Sequence, residues 1–341
     1  MENAINARTL PEIKPAEHLY INGIVDMAYE NYCLEQTHVK ALESLDRNFF
    51  SEYIRDLIAN GVGNIVFESE KMVGYLLFNV YPEYNSAVSP LYGYGISHPQ
   101  RGDIISKLFQ KTASELCEKY YQNLQVSIYA HDSEVLWHYI LGSFIMELTD
   151  VVRDTDSLIS TKPCQYAFKE ISKSELLNHK QNVIEFYRNL INHLRLSPVF
   201  YPCHEFLPIE DRFTDFLADD IRVFAAFDGE NVIGMVISEA SDIWPGLNEK
   251  NAVNLSDLFV APAYRGNGIA AALLDFTSNA LKKSGIKKIY VTHGTVNPTA
   301  VGFWDKYFSN YAYRFSRQID SEMLGVIKPV QNDNCISRRI I

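Results

Sequence analysis

The sequence predicts an α/β fold made of two similar domains, and three observations lead to this prediction. Its 341 residues exceed the roughly 100–200 residues usual for one domain. Strand-like and helical stretches alternate along both halves. The segment HPQRGDIISKLF also matches APAYRGNGIAAALL at a separation of 164 residues, as expected for two copies of one fold.

The first half contains the elements of one copy. Periodicity predicts two helices, three strands, a helix, a strand, a helix and a last strand. In this order their bounds are Ala16–Tyr29, Leu45–Ala59, Asn64–Phe67, Val73–Val80, Leu91–Ile96, Gly102–Tyr120, Leu124–Tyr129, Ser133–Leu141 and Phe144–Val151.

The second half repeats this order after a short strand at Tyr166–Ile171. Asp228-Gly229 between two alternating segments is a strong hairpin signal. The remaining elements are helices at Ser174–His193 and Ile209–Ala218, strands at Arg222–Phe227, Val232–Glu239 and Val253–Val260, a helix at Gly266–Lys283, a strand at Lys288–Thr292, a helix at Pro298–Phe308 and a strand at Tyr311–Arg317.

The boundary between the copies is expected between Arg153 and Gln165. Polar residues, Lys162-Pro163 and a loss of periodicity indicate a linker there. We therefore predict domains at residues 1–160 and 161–341.

Composition resembles that of an ordinary globular protein, with 47% hydrophobic and 21% charged residues. No apolar run approaches the ~18 residues of a membrane span. The N-terminus lacks the features of a secretory signal. Five widely spaced cysteines, without a CxxC pair, indicate reduced thiols rather than a disulfide or zinc framework. We expect a cytoplasmic protein with no membrane partner and no metal site.

Charge is distributed unevenly along the chain, whose net charge is −11. The first 165 residues contain 12 basic and 22 acidic residues, whereas the rest contains 19 and 20. A ligand with several phosphates is therefore discouraged less by the second half than by the first. No basic stripe with interleaved aromatic residues occurs, which argues against a nucleic-acid partner.

The most informative motif is Arg265-Gly266-Asn267-Gly268-Ile269-Ala270, where a strand leads through a proline-bounded turn into a helix. Such a junction presents unpaired backbone N–H groups and the positive end of a helix dipole to an anion. The two glycines remove side chains where the backbone must approach phosphate oxygens. Walker and Rossmann loops do not fit, because neither of their patterns is present. The loop therefore predicts a pyrophosphate ligand.

Two motifs of the second half resemble those of the GNAT superfamily of acyl-CoA N-acyltransferases. Arg265-x-x-Gly268-x-Ala270 matches the Arg/Gln-x-x-Gly-x-Gly/Ala signature. The segment NPTAVGFW from Asn297 is similar to the second motif, an Asn-x-x-Ala-x-x-aromatic-aromatic helix start. The resemblance covers residues 166–320. It implies two tandem domains, each a twisted, mixed, mostly antiparallel sheet flanked by helices, with a degenerate first copy.

The resemblance implies that acetyl-CoA, or a related acyl-CoA, is the co-substrate and that a primary amine of a small molecule or peptide accepts the acyl group directly. The strand ending at Val260 would splay from the next strand, helped by a bulge near 257–259. The residues implied to bind the cofactor are Leu258, Phe259, Val260, Arg265, Gly266, Asn267, Gly268, Ile269, Ala270 and Asn297.

Asp257 is the first candidate for the base that accepts the amine proton, because many relatives place a carboxylate at about this position. It could equally cap the bulge or pair with a cation. His293 is the reserve candidate, since an imidazole titrates near neutrality, although an ordinary turn histidine is the simpler interpretation.

The acid that protonates the departing thiolate is open. Trp304 occupies the place where many relatives have a tyrosine, and an indole cannot serve as that acid. Tyr307, one turn on, is the candidate, although a core position is the better expectation for it. Water is a further alternative, and the thiolate could also leave without an acid.

Substrate recognition is expected in two variable segments, residues 193–207 and 241–251. Aromatic and acidic side chains there could contact the stem and the charge of an amine, or could merely cover the slot. These side chains are Tyr201, Glu205, Asp242 and Trp244.

The first copy has Asp103 and Ile104 where the second has Asn267 and Gly268. A carboxylate and a branched side chain oppose a phosphate by charge and by bulk. We therefore expect this copy to bind no CoA and to have a structural role. For the whole chain, the alternative to an enzyme is a non-catalytic protein that senses acyl-CoA, because binding alone would preserve the loop of the second copy.

Overall fold

The structure, a computed structural model, describes residues 11–161, 163–198, 209–240 and 251–320. Strands and helices alternate in a mixed α/β architecture with mostly antiparallel sheet pairing, which confirms the predicted fold class. In these ranges no helix combines the length and the apolar character needed to cross a membrane. The described residues divide into a first compact unit (11–38, 44–146 and 312–320) and a second (39–43 and 147–311).

The first unit contains four helices within the described residues, α1 (Ile21–His38), α2 (Arg47–Asn60), α3 (Arg101–Glu118) and α4 (Ser133–Leu141). Its strands are β1 (Glu12–Pro15), β2 (Val62–Glu68), β3 (Lys71–Tyr81), β4 (Ser86–Ser89), β5 (Tyr94–Ile96), β6 (Asn123–Tyr129) and a strand from the end of the chain, β13 (Ser309–Gln318). They lie in the order β1-β2-β3-β4-β6-β13, and β5 pairs with β3.

The second unit has its sheet in the order β7-β12-β11-β10-β9-β8. These strands are β7 (Ile145–Asp154), β8 (Ala167–Ile171), β9 (Arg222–Asp228), β10 (Asn231–Ala240), β11 (Ala252–Val260) and β12 (Lys288–Gly294). Its described helices are α5 (Lys173–Asn178), α6 (Lys180–Leu196), α7 (Ile209–Asp215), α8 (Ile269–Lys283) and α9 (Pro298–Trp304).

Each unit takes one strand from the other half of the sequence. β7 pairs with β12 from Asp154↔Lys288 to Leu148↔Gly294. β13 pairs with β6 from Ala312↔Tyr129 to Gln318↔Asn123. A division at residue 160, as the sequence suggests, would therefore separate both pairs of strands.

Several element bounds differ from the sequence prediction. The helix predicted at 174–193 is interrupted at His179, between α5 and α6, and α5 begins with a capping box formed by Ser172 and Glu175. β1 and β4 were not predicted, since each has only four residues and too little alternation to be recognised. The helix predicted to start at Gly266 begins at Ile269 instead.

The sheet of the second unit has a hydrophobic core on each face. Met235 and Ile237 of β10 pack with α6 and α7, whereas Val236 packs with α8 and α9. This is the two-residue alternation of a strand that is covered on both sides. The two helical layers thus hold the central strands in place and leave their ends to form a site.

Candidate functional site

The second unit contains a cavity of about 740 Å³. Its walls come from α6, from β11 and β12, from the loop that enters α8, and from α9. Of the residues implied to bind a cofactor, Asn267 alone does not line it. The Nδ2 group of Asn267 donates a hydrogen bond to the carbonyl of Tyr264 at 3.1 Å, which stabilises the turn instead.

The cavity exists because β11 and β12 separate. These parallel strands pair from Ala252↔Lys288 to Asn254↔Tyr290, although they continue to Val260 and Gly294. On the other side of β11, the register with β10 shifts between Met235 and Ile237. Two residues of β11 there, Asp257 and Leu258, oppose one residue of β10, and Asp257 has a left-handed φ of 53°. This confirms the predicted bulge, which turns the end of β11 away from its neighbour.

The loop into α8 leaves the start of that helix open. Gly266 and Gly268 have φ values of 83° and 76°, a conformation that favours glycine, and α8 has no side-chain cap. A Cβ on either glycine would meet no atom of the protein within 4 Å. Glycine is therefore favoured at these two positions by the left-handed backbone conformation and not by crowding from neighbouring atoms. The first N–H groups of a helix have no partner inside it, and these therefore remain available to an anion at the cavity.

Arg265 lies beside this helix start. Its Nε donates to the carbonyl of Val260 at 3.0 Å, and its guanidinium carbon lies 4.9 Å from the centre of the Phe259 ring. These two contacts hold the exposed side chain against the end of β11. A positive charge is thereby fixed at the same end of the cavity as the open helix start.

Asn297 lies at the start of α9, on the opposite wall. Its Oδ1 accepts hydrogen bonds from the Thr299 hydroxyl at 2.8 Å and from two backbone N–H groups, those of Thr299 at 3.2 Å and Ala300 at 3.5 Å. The side chain is buried and lines the cavity. Its visible role is to cap α9 and so to orient this wall.

Comparison with known proteins agrees with this geometry. Residues 184–309 match the acetyltransferase (GNAT) family. The matched segment lies within the second unit and includes both motifs that line the cavity. No curated protein sequence matches it.

Solved structures with the GNAT fold are similar to the chain. A GCN5-related N-acetyltransferase from Sphaerobacter thermophilus has 11% sequence identity and a TM-score of 0.54, over 90% of this chain and 95% of that one. A tandem GNAT protein from the clavulanic acid biosynthesis pathway has 11% identity and a TM-score of 0.42, over 91% and 98%. The first of these similarities supports the fold of the chain and nothing beyond it.

Asp257, the first candidate base, is half of an ion pair. Its Oδ2 lies 2.9 Å from Nη2 of Arg212 in α7, and Glu239 lies 3.8 Å from the same nitrogen. Burial raises the pKa of Asp257, and the charge and hydrogen bond of Arg212 oppose this rise. Asp257 lines the cavity, and one of its two carboxylate oxygens is bound to a cation.

His293, the reserve candidate, is buried at the end of β12 with 6% exposure and lines the cavity. Its Nδ1 lies 3.2 Å from the carbonyl of Gly294. Because a carbonyl oxygen can only accept, this contact assigns the proton to Nδ1 and leaves a lone pair on Nε2. Within the described residues Nε2 has no hydrogen-bond partner. Burial lowers the pKa of His293, which favours the neutral form.

Trp304, which ends the second motif, and Tyr307, the candidate acid one turn further on, occupy different positions. Trp304 is buried among the rings of Phe303 and Phe308. Tyr307 is partly buried, packs edge-on to Phe303 at 5.3 Å and also lines the cavity. Tyr307 therefore lines the cavity, as a role as the acid would require. It also packs in the hydrophobic core, as expected for a structural residue.

Three residues of α6 also line the cavity: Leu190, His193 and Leu194. His193 and Leu194 begin the segment 193–207 expected to recognise the substrate, whereas Leu190 was not assigned to the site. His193 Nε2 lies 3.2 Å from the Thr299 hydroxyl, so α6 is connected to the start of α9. The i, i+3, i+4 spacing of the three α6 residues shows that they share a helix face, but the spacing does not reveal which cavity this face lines.

Four side chains expected to contact the substrate lie outside the described residues: Tyr201, Glu205, Asp242 and Trp244. Within the part of the chain that the structure describes, no group of three or more His, Cys, Asp or Glu residues could hold a metal ion.

Proposed function

We propose that the second unit transfers an acyl group, acetyl in the simplest case, from acyl-CoA to a primary amine of a small molecule or peptide. The observation that carries this proposal is one cavity that joins two separated strand ends to an uncapped helix start. Acyl-CoA, when bound, supplies a thioester carbonyl that an amine can attack.

The pyrophosphate is bound by the loop at residues 265–270. The open N–H groups of α8 and the positive end of its dipole favour an anion, and Arg265 adds a full positive charge. The open space around Gly266 and Gly268 leaves room for phosphate oxygens to approach the backbone. Leu258, Phe259 and Val260 hold the pantetheine arm along the free edge of β11, as an added strand would be held.

His293 is the proton acceptor that the geometry favours. The residue lines the cavity, and its Nε2 is buried, carries a lone pair and has no hydrogen-bond partner among the described residues. Asp257 is the alternative acceptor, but Arg212 already binds one of its oxygens. In the proposed reaction the Nε2 of His293 takes a proton from the ammonium form of the substrate, and the nitrogen lone pair that this frees attacks the thioester carbonyl.

The departing thiolate receives its proton from one of two sources. His293 can return the proton that it accepted, which restores its neutral form, or the Tyr307 hydroxyl can donate one. Trp304 takes no part in proton transfer and instead packs the wall of the cavity. No covalent acyl-enzyme is required, because the site holds both reactants together.

Two features of the site favour a second function, the binding of acyl-CoA without transfer of the acyl group. The ion pair of Asp257 with Arg212 and the tryptophan at position 304 remove two groups that many relatives of this superfamily use in catalysis. A protein that binds acyl-CoA without transferring the acyl group would retain the loop and lose such groups. Thiol release with a panel of amines separates the two, since a sensor binds acyl-CoA and releases no thiol.

The cofactor site is tested by the substitution Gly268→Asp in the full-length chain. We expect at least a tenfold loss of CoA affinity, about 1.4 kcal/mol or more, because the new carboxylate crowds and repels phosphate. Gly229→Asp is the matched control: it has a φ of 60°, an equally open Cβ position and a place in the β9–β10 turn outside the cavity. Calorimetry should show normal binding for the control. Equal affinities of the two folded variants would contradict the assignment.

A further inference from the structure

A second, smaller cavity of about 130 Å³ lies in the first unit. It is bounded by the end of α1, the start of α3 and the segment at residues 129–134. Nothing in the proposed acyl transfer uses it. Its lining is rich in acidic and hydrogen-bonding groups, which raises the question of what ligand they fit.

The Glu35 carboxylate is at the centre of this lining and is 2% exposed. Within the described residues, both of its hydrogen bonds come from His131: Nδ1 lies 2.7 Å from Oε1, and the backbone N–H donates to Oε2 at 3.3 Å. Burial raises the pKa of Glu35, although His131 opposes this rise. A carboxylate offers about four lone-pair sites, so this one can still accept further hydrogen bonds.

The Tyr129 hydroxyl is the second observation. Tyr129 is 2% exposed and lines the cavity, and its hydroxyl has no hydrogen-bond partner in the described part of the chain. An unpartnered buried hydroxyl costs free energy that a ligand group could recover. Burial raises the pKa of this phenol far above neutrality, so it stays a neutral donor and acceptor.

An anion would find few free donors in this cavity. Arg101, the positively charged residue of the lining, donates from Nε to Asp132 at 3.0 Å and from Nη2 to Asp132 at 2.5 Å and to Asn31 at 2.7 Å. Its Nη1 donates to the carbonyl of Ile96. The charge of Arg101 is therefore matched by Asp132. Of the other two carboxylates, Glu35 accepts from His131 and Glu134 from the backbone N–H of Gly102, and no lysine or second arginine is among the described lining residues. The lining favours a cation.

We propose that this cavity binds a small organic cation through a primary ammonium group. Its N–H donors match the remaining lone pairs of Glu35 and the Tyr129 hydroxyl oxygen. The volume suits about six non-hydrogen atoms, since an engineered cavity of about 150 Å³ holds benzene. The stacked rings of His38 and His131, 4.4 Å apart and exposed, flank the ligand on the solvent side.

The proposal is tested on the full-length chain by titration with ethylammonium chloride, followed through backbone amide shifts and calorimetry. We expect millimolar binding with shifts at residues 31–38 and 129–134, and at least a fivefold loss of affinity in Glu35→Gln and Tyr129→Phe. Tyr129→Phe removes a hydroxyl without a described partner and should leave folding intact. Tyr139→Phe is the matched control, because its hydroxyl is equally buried and unpartnered but does not line the cavity.

Three results would overturn the proposal. The first is an absence of shifts at the highest usable concentration of ethylammonium. The second is equal binding by the wild type, Tyr129→Phe and Glu35→Gln. The third is binding of acetate or of zinc ions at these residues in preference to ethylammonium. None of these results bears on CoA binding, which involves the loop at 265–270 of the second unit.

Discussion

The two units begin their matched helices in opposite ways. In the second unit, α8 starts three residues after Gly266 and has no side-chain cap. In the first unit, α3 starts at Arg101 itself, and the backbone N–H of Gly102 donates to Oε2 of Glu134 at 3.3 Å. The Glu134 carboxylate thus binds the start of α3, whereas no side chain caps the start of α8, which leaves that helix start open to an anion.

The matched arginines differ in the same way. Arg101 forms a two-point ion pair with Asp132, whereas Arg265 contacts a carbonyl and an aromatic ring. Asp132 and Asn297 each immediately precede the helix that follows the next strand, α4 and α9. The cavities measure about 130 and 740 Å³. Two added carboxylates therefore distinguish a helix start and an arginine that are bound by the protein's own side chains from a helix start that is open to an anion.

The largest effect is expected when the chain is cut at residue 160. Residues 161–341 alone lack β7, which leaves the edge of β12 unpaired from Lys288 to Gly294. An open sheet edge favours aggregation and removes a strand from the core. We expect no cooperative unfolding and little CoA binding for this fragment, measured by thermal denaturation and calorimetry.

Co-expression of residues 1–160 with 161–341 is the control for that cut, because it supplies both exchanged strands. The pair should co-purify and recover CoA binding with one site per pair. A fragment 161–341 that unfolds cooperatively and binds CoA normally would show that β7 is dispensable.

The next effect concerns the proton acceptor of the open site. His293→Gln should lower the acyl-transfer rate by about 10²–10⁴ with little change in CoA affinity. Burial lowers the pKa of His293, so the base should be lost only at a pH below the ordinary range of histidine titration, where protonation removes the lone pair. The variant should lack that acidic limb.

Two further variants sharpen this test. His193→Gln should cost less than about tenfold, because the Nε2 of His193 already contacts Thr299. Asp257→Asn tests the alternative acceptor in the same assay. If Asp257→Asn abolishes turnover while His293→Gln retains it, the role belongs to Asp257.

A smaller effect is expected in the filled site of the first unit. Asp132→Ala leaves Arg101 without its carboxylate and Tyr94 without its acceptor, and should reduce the free energy of unfolding by about 2–3 kcal/mol. This is below the range for fully buried pairs, because Arg101 is 21% exposed. Chemical denaturation measures the change.

The same variant tests whether the pair alone blocks CoA. The chain should still bind one CoA, because Ile104 and Glu134 remain at the helix start. Asp26→Ala, which breaks an exposed pair with Arg47, should leave stability almost unchanged. A second CoA site in Asp132→Ala would show that the Arg101–Asp132 pair is the whole difference between the units.

The smallest effect on CoA binding is expected when Asn297, which precedes α9, is replaced by the aspartate that precedes α4 in the first unit. Asn297→Asp preserves the cap of α9, since either side chain accepts hydrogen bonds from a helix start. The added charge should weaken CoA binding by about tenfold, or 1.4 kcal/mol. Asn231→Asp, at the exposed β9–β10 turn, is the control. Equal calorimetric affinities would show that Asn297 lies apart from the phosphates.

Much of the fold could be predicted because its signals are local. The alternation of strands and helices, the Asp228-Gly229 hairpin and the bulge at Asp257 all appear where the sequence indicates them. The start of α8 was predicted three residues early, since a propensity pattern does not show that Gly266 and Gly268 adopt left-handed angles. The ion pair of Arg212 with Asp257 joins residues 45 positions apart, and no spacing rule reveals it.

The sequence by itself determined the fold class, the glycine-rich loop at residues 265–270, and the carboxylate and branched side chain that replace Asn267 and Gly268 in the matched loop at 101–106. These properties depend on glycines, charges and periodicities within a few neighbouring residues. The tertiary structure alone decided which strands complete each sheet, which histidine keeps a free lone pair, and that Glu134 and Asp132 fill the first site. Each of these depends on contacts between distant parts of the chain, and packing rather than local preference selects them.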